Sequence, residues 1–511
     1  MNKFLIGMAM LIFGLVSCKK DHKDPSGEQS GTTYMAMSVN LGESLRASED
    51  DKYNKLGEWE GNDEIKDVTV FLIQGGTVEH KDFTYAASGT AEGTFSVADA
   101  KVTTVPWKTT PGAKTIYVVV NGGATVETQA ILTDLKNKTL KEEFEAAYKA
   151  AKVITAGEST SSPKKDLIMM TGIPVTQTIA DGVSASAALV SATNKVLLSV
   201  RRTMSRVTVT RDKVLGTNGT EDIEIKNGTK TIARLKNVTW AVGQTSKLTN
   251  ILWKDNVGGF KYTALDVKSE DAAYEFIPTN TTFKSQAANH YDYSKLNETN
   301  ALVVFDRTTA SVAEVIKGNM KFITETTHKT PTIITDGKTG GYRKGNTTYV
   351  QITATFEPES TEWAIGQGTG YTAGTPVYLG VITGKWYTDL NKAKEANKVS
   401  DVDKAAGRDG VIEFKTGKMY YYAWLNPNET TSTKWTLSPV VRNNIYHVNV
   451  KNFARYGFSG NPYNPDPNNP DKPDPDDPTP DPEDPLEDKE TYMTTEITVI
   501  KWGVHSYDVS F

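Results

Sequence analysis

Three sets of residues have the types and spacing that could do chemistry: a lone cysteine behind an apolar leader, an arginine in a polar loop, and six scattered histidines. Cys18 is the only cysteine, and it ends the stretch Leu15-Val16-Ser17-Cys18, which has the form of a bacterial lipobox. Before it, Lys3 and the apolar run 4–16 make a secretory leader, too short to span a bilayer as a permanent helix. A thiol so placed accepts lipid, and more than one acyl chain gives durable membrane anchoring. It also leaves no second cysteine, so neither an internal disulfide nor a cysteine nucleophile in the body of the protein is available. Arg46 stands in Gly42-Glu43-Ser44-Leu45-Arg46-Ala47-Ser48-Glu49-Asp50-Asp51, where it is the sole basic residue. A small, polar, exposed loop is where proteases cut, and a trypsin-like protease needs an arginine on the acyl side of the bond, here Arg46 before Ala47.

The remaining candidates are negative. His22, His80, His290, His328, His447 and His505 show no paired-ligand spacing, and no zinc site is legible. Gly337-Lys338-Thr339 resembles the end of a phosphate loop, but Thr332 stands where its first glycine belongs. Gly366-Gln367-Gly368-Thr369-Gly370-Tyr371 lacks the last glycine of the dinucleotide fingerprint. No Gly-x-Ser-x-Gly elbow occurs, and the acidic run 474–484 is broken by prolines that prevent a compact cation cage. No catalytic residue, metal or cofactor is therefore expected. A net charge of -5 with scattered Lys and Arg gives no basic stripe for nucleic acid. The 9 Trp and 22 Tyr would suffice for a carbohydrate platform, although in β-sandwiches most such rings lie in the core.

The elements around these residues are strands. Residues 34–41 alternate cleanly, with Met35, Met37, Val39 and Leu41 on one face, which predicts a strand with one buried side just ahead of Arg46. Further strands are expected at 68–73, 114–120, 167–171 and 196–209, then at 233–242, 349–356, 376–382, 411–414, 419–425 and 444–450. One helix stands out: Thr139 and Glu142 suggest a capping box, and Leu140, Phe144, Tyr148 and Ala151 share a face that should cover one side of the first sheet. Arg201-Arg202 is a second basic pair, but inside a strand pattern it should be shielded from proteases. The fold class is mainly β, two β-sandwich-like domains in tandem with a few short helices.

The C-terminal part is of another kind. Residues 460–488 hold ten of the 21 prolines among Asp, Asn and Glu, a composition suited to an extended polyproline arm and unable to bury a core. About 28 such residues at about 3.1 Å each reach roughly 85 Å. Behind them Ile497 and Val499 point one way, Ile500, Trp502 and Val504 the other, and Tyr507, Val509 and Phe511 alternate again. The two phase slips suggest bulges. An apolar strand on a long arm would aggregate unless accepted elsewhere, so the tail is read as a strand donated to a neighbouring subunit.

Tyr420-Tyr421-Tyr422-Ala423-Trp424-Leu425-Asn426-Pro427, followed by Ser438-Pro439-Val440-Val441-Arg442-Asn443-Asn444-Ile445-Tyr446-His447, resembles the C-terminal signature of the type V fimbrillins of the Bacteroidetes. The likeness extends to Gly57-Glu58-Trp59, to residues 344–350, to the Pro/Asp spacer and to residues 496–507, and is strongest to shaft subunits of the short fimbriae of oral Porphyromonas. The run Lys19-Lys20-Asp21-His22-Lys23-Asp24 resembles the tags that send lipoproteins of these bacteria to the cell surface. The resemblance implies transthyretin-like sandwiches and a precursor lipidated at Cys18 and displayed on the outer membrane. It further implies an arginine-specific extracellular protease that cuts after Arg46, and a neighbour's tail that fills the place of the strand so removed.

The expected layout is a signal peptide over 1–18, a propeptide with placeholder strand over 19–46, an N-terminal domain over 47–215 and a C-terminal domain over 216–459. A linker over 460–490 and a donor strand over 491–511 follow. The expected partners are further copies of the chain in a head-to-tail polymer, fimbrial anchor and tip or accessory subunits, and the surfaces of other bacteria or of a host. The alternatives are a fimbrial tip or accessory adhesin, which need not donate a strand, and a surface glycan-binding lipoprotein, which would not need the tail.

Overall fold

The computed structural model describes residues 33–41, 63–98, 101–212, 223–252, 290–305, 319–326, 342, 344–405, 410–425, 438, 440–460, 486 and 493–501. Its N-terminal sheet is built from β1 (Thr33–Asn40), β2 (Asp67–Gln74), β3 (Thr77–Tyr85), β4 (Thr94–Ala98), β5 (Lys101–Thr104), β6 (Trp107–Thr109), β7 (Gly112–Val120), β8 (Met170–Gly172), β9 (Val175–Ile179) and β10 (Lys195–Arg202). The strand order is β8-β10-β1-β5-β4-β3-β2-β7-β9, with β6 on β1. β8 also pairs with β7, which joins the first strand of that order to the last but one.

β2 explains the layering. Its sequence Asp-Val-Thr-Val-Phe-Leu-Ile-Gln is apolar on both faces, as expected of a strand covered on both sides. Val68, Val70 and Leu72 join a core with Met35, Met37 and Val39. Phe71 and Ile73 point to the opposite face, into a second core under helices α1 (Val126–Lys136) and α2 (Lys141–Lys149). The β2–β3 hairpin turns through Gly75 and Gly76, both at positive φ, the backbone that a two-residue turn matching the strand twist demands.

The expected helix is present, and its Phe144 and Tyr148 are buried against Phe71 and Tyr117. Its start differs from the sequence reading. Leu140 is the N-cap, without a side-chain cap bond, and Leu140 is exposed. The Thr139 carbonyl accepts from Val78 N instead, tying the segment to β3. The capping box belongs to α1, where Thr125 and Thr128 satisfy each other's backbone amides.

The run 196–209 is two strands in two sheets. β10 ends at Arg202, and β11 (Met204–Asp212) opens the C-terminal sheet, with Thr203 between them held by Met169 O. Alternation on both sides of the break conceals it in the sequence. β12 (Ile223–Asn227), β13 (Lys230–Gly243), β14 (Val303–Phe305), β15 (Met320–Thr324), β16 (Tyr349–Pro358), β17 (Lys418–Trp424), β18 (Asn444–Phe453) and β19 (Met493–Lys501) follow. Their order is β14-β11-β18-β12-β13-β16-β17, with β15 on β11 and β19 on β18. A smaller sheet of Trp386–Tyr387, Val377–Gly380 and Val411–Phe414 packs Trp386 and Phe414 against Phe356 of the main core. In both domains the first strand lies parallel to a late one, β1 beside β10 and β11 beside β18, the last strand before the tail. The fold is mainly β, as the sequence implies.

The domains share packing. Met204, Ile251, Phe305 and Ile445 of the second enter the same core as Phe71, Tyr117 and Phe144 of the first. Polar contacts cross the same junction: Arg202 Nη1 donates to Asn443 Oδ1 at 3.0 Å, and Arg206 pairs with Asp166. Within the second domain, Arg442, only 1% exposed, reaches Glu325 at 2.9 Å and donates to the carbonyls of Asn250 and Ile251.

Candidate functional site

β1 is a central strand carried on a short described segment, and its surroundings form the site. On one side it runs parallel to β10, with Met37 opposite Val196 and Val39 opposite Leu198. On the other it runs antiparallel to β5, with Val39 opposite Val102, and to β6, with Met35 opposite Trp107. β10 and β5 share no ladder of their own. Among the described residues, β1 is therefore the strand that lies between β10 and β5.

The sequence pattern accounts for the seating. Met35, Met37 and Val39 are fully buried among Phe95, Val102, Trp107, Val196 and Leu198, and Leu41 packs at the margin of the same core. Ser38 and Asn40 face outward, and so does Leu197, which is 65% exposed. Ala36 is buried although it lies on the outward face of the alternation. β1 bears no carboxylate, amine or imidazole, so its lodging is a matter of apolar burial and backbone pairing rather than charge.

Side chains from distant loops complete the lodging. Asn194 is fully buried; its Nδ2 donates to Tyr34 O at 2.8 Å and its carbonyl accepts from Ala36 N at 2.9 Å. Thr33 Oγ1 donates to Ala180 O at 2.8 Å and accepts from Val183 N at 3.0 Å. Met37 N donates to Thr104 Oγ1 at 2.9 Å. Asn194, Thr104 and Thr33 were not legible as site residues, because each acts through a contact between segments far apart in sequence. The Thr-Asn-Lys sequence at 193–195, a turn signal before a strong strand, is the local feature that could have drawn notice to Asn194.

The tail strand β19 lies antiparallel on β18 of its own C-terminal domain, from Asn444 opposite Lys501 to Phe453 opposite Met493. The ladder is regular where Val499 and Ile500 change face in the sequence. Its one irregularity falls on the partner, between Val450 and Asn452. Ile497, opposite Val448, and Val499, opposite Tyr446, take regular places in it, as does Ile500 opposite Ile445. Trp502, Val504, Tyr507, Val509 and Phe511 lie outside the described residues, as do Cys18, Arg46 and Ala47. Of the spacer, Leu486 is described, and it is buried on the C-terminal domain instead of standing away from it.

Other candidate chemistry finds no grouping. Arg202 is buried in its ion pair with Asp63, and Arg201 is paired through strand β10 with Thr171, so the dibasic pair sits within the sheet. Among the described residues, no group of three or more His, Cys, Asp or Glu is arranged to hold a metal ion. His447 contacts Thr210 Oγ1 at 2.7 Å and packs edge-on against Phe305, as a core residue does.

The family "Major fimbrial subunit protein (FimA)" matches residues 34–233, and "Major fimbrial subunit protein type IV, Fimbrillin, C-terminal" matches residues 412–508. The chain is 36% identical over 530 aligned residues to the minor fimbrium subunit Mfa1 of Porphyromonas gingivalis, covering 100% of both. Among solved structures it is similar to a fimbrilin (FimA) from P. gingivalis W83, at 14% identity and a TM-score of 0.41, covering 94% of this chain and 99% of that one. It is also similar to the tip fimbrial protein Mfa3 from P. gingivalis, at 9% identity and a TM-score of 0.31, covering 83% of this chain and 98% of that one.

Proposed function

The chain belongs to the fimbrillin family of fimbrial subunits, and we propose that it is a shaft subunit of a cell-surface fimbria that polymerises head to tail by exchanging strands. Cys18 carries the lipid that holds the precursor on the outer membrane. An arginine-specific extracellular protease then cuts between Arg46 and Ala47, and β1 leaves with the propeptide. A neighbour's tail, through Ile497, Val499, Ile500, Trp502, Val504, Tyr507, Val509 and Phe511, takes its place. Anchor and tip subunits bound the polymer, which binds other bacteria or host surfaces. The role is structural, with no reaction of its own.

The observation that carries this reading is the two-sided pairing of β1. Its loss would leave the edges of β10 and β5 unpaired over an apolar cleft, an arrangement that demands another strand. Among the described residues, the tail strand at home pairs with β18 along one edge. In the cleft a strand is paired along both edges, at about 1 kcal/mol net for each added hydrogen bond. Filling the places of Met35, Met37 and Val39 adds about 1.5–3 kcal/mol for each apolar side chain buried. Both terms favour a filled cleft over an empty one, against an ordering cost of about 1–2 kcal/mol for each residue newly fixed. A head-to-tail contact does not close on itself, so its product is a filament.

The experiment is protease treatment of purified precursor, followed by electron microscopy and N-terminal sequencing. Filaments whose subunits begin at Ala47 are expected. Filaments whose subunits begin at Lys19 or Asp24 would show that β1 is no placeholder. The tail favours a shaft over a tip subunit, which has nothing beyond it to receive a strand.

A further inference from the structure

Leu486 is the last residue but two of the Pro/Asp-rich stretch, and its side chain is 3% exposed, within a cluster of Tyr342, Tyr349, Tyr422 and Trp424. The rings meet edge-on: Tyr349 and Trp424 at 6.0 Å and 84°, Tyr422 and Trp424 at 5.8 Å and 65°. The box is built into the sheet, since Tyr349 begins β16 and Trp424 ends β17, directly opposite each other in the ladder. Gly243 makes room for it; a Cβ there would stand 2.3 Å from Tyr349 Cζ.

The other end of the spacer is fixed to the same place. Phe458 exchanges both backbone hydrogen bonds with Tyr420 at 2.9 Å, stacks on Tyr422 at 5.6 Å and packs against the cluster that holds Leu486. Residues 461–485 therefore leave from and return to one aromatic cluster of their own domain.

We propose that Leu486 roots the tail in this box, in the monomer and in the fibre, so that the spacer is bypassed and adds nothing to the tail's reach. This rests on the strand-donation reading. What reaches a neighbour begins at residue 487. The six residues 487–492 span about 20 Å when extended, against roughly 78 Å for residues 461–485 as a free arm at about 3.1 Å per residue. Successive subunits are then held close, and the axial repeat is set by the box and the short lead rather than by the proline-rich run. A box lined by fully buried aromatic rings is a site that a leucine leaves only at the cost of exposing both partners.

Deleting residues 466–481 from the full-length precursor tests this. After cleavage the variant should form filaments at the wild-type rate and with the wild-type axial repeat by electron microscopy. Loss of filaments, or a changed repeat, with an unchanged melting temperature would overturn the proposal, because the spacer would then be the reach. Leu486→Asp, with Leu486→Ala as the milder change, should make the uncut precursor at least tenfold more sensitive to limited proteolysis between residues 486 and 492, and its filaments should lose a uniform repeat. Wild-type protection together with a wild-type repeat would also overturn it. Truncation after Asp488 separates the two readings: if that protein still polymerises after cleavage, strand donation itself fails, whatever the spacer deletion shows.

Discussion

Asn194 donates from its side-chain amide to the carbonyl of Tyr34 at 2.8 Å, although 160 residues separate them. Both are buried or half-buried at the start of β1, and Asn194 O returns the contact by accepting from Ala36 N. Asn194→Ala leaves buried backbone groups unpaired, at about 1–3 kcal/mol. The uncut precursor should lose several degrees of melting temperature, while the cut protein, which has given up Tyr34, should lose less. Equal losses in both forms would mean that Asn194 stabilises only its own loop.

A charge in the placeholder should act as a partial cut. Met37 is fully buried with Val196 opposite, and an aspartate there has no partner in an apolar core. Met37→Asp should loosen β1 and let the intact precursor oligomerise slowly without cleavage, as read by size-exclusion chromatography. An intact precursor that stays monomeric with β1 protected from proteolysis would count against the placeholder role.

What the sequence reveals and what it hides follow from range. The alternation at 34–41 shows the buried face of β1, because a half-covered strand has a period of two. It does not show that β1 is central, since centrality depends on β10 and β5, which lie 60 to 160 residues on. The strands read at 68–73, 114–120, 233–242 and 349–356 stand within β2, β7, β13 and β16, where apolar patterning is strong. β3 escaped notice because it exposes Thr, Glu and Asp, and β4 and β6 because they have five and three residues, too few to show a period. Leu486 could not be singled out either, as its box is made of rings from Tyr342 to Trp424 and its own neighbours are proline and acid.

The core of the second domain should be intolerant of a lost charge. Arg442 and Glu325 are both buried, and the Arg442 guanidinium also holds the carbonyls of Asn250 and Ile251. Arg442→Ala strands the carboxylate, a change that costs about 3–5 kcal/mol when one partner of a buried pair is removed. Urea unfolding should show that loss, with a smaller one when Glu325→Gln is combined with it. An effect below about 1 kcal/mol would show that the pair contributes little to the stability of the second domain.

Export should depend on the leader's thiol. Cys18→Ala is expected to leave an unlipidated precursor and cells without surface filaments, as seen by membrane fractionation and electron microscopy. Normal filaments on such cells would remove lipidation from the assembly route.

Strand exchange itself is tested most directly by the tail as a synthetic peptide, residues 491–511, titrated calorimetrically into protein truncated after Asp488. β19 pairs with β18, so truncation leaves that edge of β18 without its tail strand before and after cleavage at Arg46, and under the proposed exchange the cleft between β10 and β5 would open on cleavage alone. The account predicts one more peptide site per molecule after the cut than before it, and the loss of that added site with a Trp502→Ala peptide. The same stoichiometry before and after the cut would contradict it.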